Sequence, residues 1–86
     1  MKTKRIFGIR TETYAYQNGW NFDIVTNEHT GIRDVYLYHY DYGIKMHMFG
    51  TQEKDRDKFL QTVEANIDDY IEQYKEQYMD QEDPKR

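Results

Sequence analysis

Apolar and polar residues alternate with a period of two from about residue 4 to residue 50, then recur every three to four positions from about residue 52. Side chains point to opposite faces along a strand and share a face every 3.6 residues on a helix. The first stretch therefore predicts β-strands and the second a single helix. Phe59, Leu60, Val63, Ile67, Tyr70, Ile71, Tyr74 and Tyr78 form the helical stripe, over about residues 52–80. Gly50 ends the strand pattern, and Thr51 is the expected N-cap, followed by Glu53 and Asp55 where the helix dipole favours acids. Residues 81–86, with Pro84, read as a disordered tail to one α+β domain spanning residues 1–80.

Turn chemistry sets the strand pairing. Asn18-Gly19 is a type I′ hairpin signal, because both central positions of that turn need positive φ. With those two residues as the loop, Gln17 opposes Trp20, Ala15 opposes Phe22 and Thr13 opposes Ile24, while Tyr16 faces Asn21 and Tyr14 faces Asp23 on the other side. A second turn centred on Asp41-Tyr42 pairs Tyr40 with Gly43, His39 with Ile44, Leu37 with Met46 and Val35 with Met48; Tyr38–Lys45, Tyr36–His47 and Asp34–Phe49 then lie opposite. Asn27-Glu28-His29-Thr30-Gly31 is a turn-rich connection between the hairpins. No Gly/Pro/Asn turn separates Lys4–Arg10 from Thr11–Tyr16, which favours a continuous strand, or one bulged at Gly8, over two strands.

Both registers sort the side chains alike. Phe22, Ile24, Val35, Leu37, Ile44, Met46 and Met48 collect on one face; Tyr14, Tyr16, Tyr36, Tyr38, Tyr40, Lys45 and His47 collect on the other. The expected fold is an antiparallel β-meander of three or four strands with one long C-terminal helix packed on the aliphatic face. A helix of that length would span about 43 Å against about 23 Å for a seven-residue strand. It would overhang the sheet, carrying Tyr70, Tyr74 and Tyr78 to a symmetry mate, so a homodimer through the C-terminal helix is expected.

Charge sharpens the picture at one end only. Residues 1–58 are nearly neutral, with nine Lys/Arg against eight Asp/Glu, whereas residues 59–83 hold eight acids against Lys75 alone, within a net charge of −4. Glu64, Asp68, Glu72, Glu76 and Asp80 recur at a four-residue spacing. Like charges so placed each cost a few tenths of a kcal/mol on an isolated helix. Their step of about 6 Å approaches the spacing of phosphates along a nucleic-acid strand. Direct nucleic-acid binding calls for the opposite sign of charge.

The chemistry for catalysis is thin. The chain has no cysteine and no serine; its three histidines fall in a loop (His29), on the aliphatic side (His39) and on the tyrosine side (His47), with no metal-ligand spacing. No catalytic residue, cofactor or metal is expected. There is no membrane-spanning stretch and no complete signal peptide, so a cytoplasmic location is expected.

Two surfaces are candidates for partner binding: the tyrosine face (Tyr14, Tyr16, Tyr36, Tyr38, Tyr40) and the acidic row (Glu64, Asp68, Glu72, Glu76, Asp80). Tyrosine suits protein interfaces, since it brings area and a hydroxyl with little entropy to lose. The expected function is therefore a small non-enzymatic protein-interaction module. The alternative is an inhibitor, of the kind phages and mobile elements encode, whose acidic helix mimics DNA toward a basic nucleic-acid-binding protein of the host. In size and acidity alone such a chain is similar to anti-CRISPR proteins, and no residues are carried over from them.

Overall fold

A computed structural model describes residues 2–76 and shows an α+β fold. Five antiparallel strands follow one another in one sheet: β1 (Lys2–Ile6), β2 (Ile9–Ala15), β3 (Trp20–Asn27), β4 (Arg33–His39) and β5 (Ile44–Thr51). A helix, α1 (Arg56–Tyr74), then crosses one face.

The first stretch is two strands, contrary to the expectation of one continuous or bulged strand. Phe7 and Gly8 take φ of 51° and 79°, and Ile6 pairs with Ile9 across them. This is a two-residue turn of the I′ kind. Its usual residues are Asn, Asp and Gly, so a phenylalanine in the first position gave no turn signal. Two outside contacts pin the turn: the Glu28 amide donates to the Gly8 carbonyl at 2.8 Å, and Arg5 bonds Glu28 at 2.6 Å. The Phe7 ring is 94% exposed, so no packing offsets the left-handed backbone. Phe7→Asn is therefore expected to stabilise the fold by about 0.5–1 kcal/mol. A urea midpoint unchanged or lowered would contradict this.

Asn18-Gly19 does form a positive-φ turn, but the register beside it is displaced by one residue. The Trp20 amide donates to the Gln17 carbonyl at 3.0 Å, whereas the Tyr16 amide, not that of Gln17, donates to the Trp20 carbonyl at 2.8 Å. Gln17 is thus an extra residue, a bulge next to the turn. Beyond it Ala15 pairs with Asn21, Tyr14 with Phe22 and Thr13 with Asp23. A one-residue slip moves every side chain of a strand to the opposite face, so Tyr14 and Tyr16 lie on the helix side and Thr13 on the open side.

The β4–β5 hairpin keeps the expected pairs from His39–Ile44 to Tyr36–His47, and then a bulge shifts the ladder. Val35 pairs with Phe49 rather than Met48, and Asp34 with Gly50 rather than Phe49. As a result Met48 and Phe49, adjacent in sequence, both pack on the core.

The helix also begins later than expected. Asp55, not Thr51, is the N-cap, its carboxylate accepting from the amides of Asp57 and Lys58. Thr51 is the last residue of β5 and accepts instead from the Glu53 amide. Phe59, Val63, Ile67 and Ile71 face inward and close with Ile24, Val35 and Leu37 into the core. Tyr70 donates to the Met48 carbonyl at 2.8 Å, and Tyr74 packs against Trp20 and Tyr42 with ring centroids 5.7 and 5.9 Å away. At 19 residues α1 spans about 28 Å, close to the strand length. Tyr70 and Tyr74 thus pack on the sheet, contrary to their expected place on an overhang; Tyr78 and the expected helix past residue 76 lie outside the described residues.

Candidate partner-binding surfaces

The helix covers one face of the sheet and leaves the other open. Tyr36 and Tyr38 of β4 point to the open face, paired with His47 and Lys45 of β5. The Lys45 ammonium sits 5.2 Å from the Tyr36 ring centre and 5.8 Å from that of Tyr38, between the two. His47 stands edge-on to Tyr36 and bonds Asp34 at 2.9 Å. Tyr40, just past the strand, meets the Tyr38 ring at 5.2 Å and is 77% exposed.

Asp23 is the unusual member of this face, a nearly buried carboxylate. The Thr13 hydroxyl donates to it at 2.9 Å and Lys45 lies 3.7 Å away. Beside it a shallow groove of about 500 Å³ is lined by Lys2, Thr13, Asp23, Tyr38, Tyr40 and Lys45, among others. The groove is thus an aromatic floor with an ammonium on either side and an acid already partnered.

The other two expected members of the tyrosine face, Tyr14 and Tyr16, are under the helix. Tyr14 stacks on Phe22 at 5.0 Å. Its hydroxyl accepts from Arg56 at 2.7 Å, and Arg56 also bonds Glu12, which is buried, at 2.8 Å. Tyr16 donates to Asp68 at 2.7 Å. Both tyrosines therefore join sheet to helix. The Gln17 bulge that turned them inward also turned Thr13 outward to Asp23, and this is why Thr13 escaped the sequence reading.

Of the acidic row, Glu64, Asp68, Glu72 and Glu76 are all exposed on α1 or just past its end. None of them forms an ion pair among the described residues. Asp80 lies outside the described residues. Among the described residues no helix is long and apolar enough to cross a membrane, and no three acids or histidines gather as a metal site would need.

Among the described residues, the hydroxyls of Tyr14, Tyr16 and Tyr38 are held above the ordinary value of 10. Burial raises Tyr38 most, with Tyr40 and the Asp23 carboxylate adding to it. Burial and then the Glu12 charge raise Tyr14, and donation to Asp68 raises Tyr16. In the unfolded chain these phenols release protons near 10 while the folded chain keeps them. Their contribution to stability is therefore complete below pH 10 and declines as pH rises beyond it. Absorbance titration should show a late-ionising fraction of tyrosine, and the fall in urea midpoint between pH 9 and 11 should be smaller in Tyr38→Phe. An equal fall in both proteins would refute the assignment.

The chain matches no protein-family model, no curated protein and no solved structure.

Proposed function

We propose that this chain is a small non-enzymatic protein-interaction module that receives its partner on the open face of the sheet. The observation that carries the reading is the groove beside Tyr38 and Tyr40, with Lys2 and Lys45 at its sides and Asp23 already partnered within it. Such a face is organised before a partner arrives, so binding loses little further side-chain entropy. Tyr36 and Tyr40 supply the exposed aromatic area, Tyr38, only 8% exposed, braces them from beneath, and Lys45 and His47 supply the polar contacts. The proposal takes the module to act in the cytoplasm, in keeping with a chain free of cysteine.

The test is affinity capture from native lysate, eluted in parallel by salt and by duplex DNA, with Tyr40→Ser and Lys45→Glu variants alongside. Tyr40 is exposed and free to change, whereas Lys45→Glu sets a second carboxylate beside Asp23, so each variant is read only where it keeps a native circular-dichroism spectrum. A stoichiometric partner lost by both variants and indifferent to DNA supports the reading. A partner retained by both overturns it.

A second reading has its own support. Glu64, Asp68, Glu72 and Glu76 are exposed and lack cations among the described residues, leaving that helix face strongly negative. An inhibitor that mimics DNA toward a basic host protein would use such a face. In that case duplex DNA displaces the partner, and changing Glu72 and Glu76 to glutamine abolishes capture while Tyr40→Ser and Lys45→Glu keep it. A homodimer is an outcome of the same purification, read by sedimentation at tens of micromolar.

A further inference from the structure

All four arginines of the described residues gather on the helix side of the sheet, and two of them have carboxylate partners. Arg5 bonds Glu28, and Arg56 bonds Glu12. Arg10 and Arg33 meet no carboxylate among the described residues, although eight exposed acids there form no ion pair. Thr26 of β3 lies between them in the ladder, paired with Arg10 of β2 on one side and Arg33 of β4 on the other. Directly paired residues project from the same face, with neighbours about 5 Å apart, so the three form one continuous row.

That row concentrates unmet polar groups. Four buried side-chain polar atoms among the described residues lack a hydrogen-bond partner, and three of them are Arg10 Nε, Thr26 Oγ1 and Arg33 Nη1. More than nine in ten buried polar groups in native proteins are satisfied, and an unmet one calls for a missing partner. Three in adjacent residues, two of them cationic, call for an acceptor carrying negative charge. Thr26 is only 7% exposed, while both arginines are half-buried. The Arg33 guanidinium lies 5.1 Å from the centre of the Phe59 ring, so one fork is already oriented. Guanidinium forks match the paired oxygens of phosphate and carboxylate.

We propose that Arg10, Thr26 and Arg33 form an oxyanion site, taking a phosphate or carboxylate group between the two guanidiniums and over the threonine hydroxyl. The site lies on the opposite face from the groove, so its failure leaves the reading of the open face untouched.

Amide NMR of the full chain tests it, by titrating inorganic phosphate, acetate and chloride at matched ionic strength. Saturable shifts at residues 10, 26 and 33 are expected with phosphate or acetate and not with chloride. Phosphate alone identifies a phosphate ligand, and acetate a carboxylate one. Arg10→Gln should weaken binding at least tenfold and Thr26→Val about threefold, each in a spectrum that retains native dispersion. Thr26→Val decides the matter if Arg10→Gln does not fold. No saturable shift, equal shifts with chloride, or unchanged affinity in a folded variant would overturn the site and leave those atoms to water.

Discussion

Phe59→Ala is expected to remove about 4 kcal/mol of stability, most of what a domain of this size possesses. Phe59 is fully buried in the first turn of α1, where helix meets sheet. Its ring lies 6.2 Å from that of Phe49, and the Arg33 guanidinium covers it at 5.1 Å. Truncation loses the transfer free energy of the ring and leaves a cavity walled by strands that cannot close on it. It also removes the surface on which Arg33 rests, so a half-buried cation loses its stack. Leu60, the next residue, is only partly buried, and Leu60→Ala should cost about 1–2 kcal/mol. Urea unfolding measures both. A Phe59→Ala midpoint no lower than that of Leu60→Ala would show that the core is not centred on this ring.

The parts of this fold legible in the sequence are those with repeated signals. The stripe from Phe59 to Tyr74 repeats every three to four residues, and it faces the sheet. The near half of the β4–β5 hairpin follows from alternation plus the Asp41-Tyr42 turn. The errors arise where one residue decides. Gln17, as a bulge, reverses the face of all of β2 and takes Tyr14 and Tyr16 out of the proposed tyrosine face. The residues of an Asn-Gly turn do not reveal whether a bulge follows it, since both geometries use the same positive-φ pair. Phe7 likewise conceals a turn, and Asp55 takes the cap from Thr51, both residues being competent caps by type. Of the open face, Tyr36, Tyr38, Tyr40, Lys45 and His47 were legible because they rest on the unshifted part of β4–β5. Thr13 and Lys2 were not, because each depended on a strand whose register or existence the sequence left unmarked. The pairing of Glu12 with Arg56 across 44 positions has no local sign at all.

Gly19→Ala should cost about 3 kcal/mol, against about 1 kcal/mol for Gly31→Ala, although the two φ angles are nearly alike. Gly19 has φ of 85° and Gly31 of 80°, so the left-handed strain of an added methyl is common to both. The gain from a stiffer unfolded chain is common as well. The neighbours differ. A methyl at Gly31 meets nothing within 4 Å, whereas at Gly19 it would lie 2.5 Å from His39 Nε2 and 2.8 Å from Cε1. His39 cannot turn aside cheaply. It is 4% exposed, stacked on Tyr42 at 4.0 Å, edge-on to Trp20 at 5.0 Å, and bonded through Nε2 to the Asn18 carbonyl at 2.9 Å. To admit the methyl, the ring must leave that bond and disturb Trp20 and Tyr42, which also hold Tyr74 at the end of α1. The difference of about 2 kcal/mol between the variants therefore measures how firmly the aromatic cluster fixes the histidine. Equal urea midpoints for the two variants would mean that His39 moves freely, and that the turn and the helix end are not coupled through it.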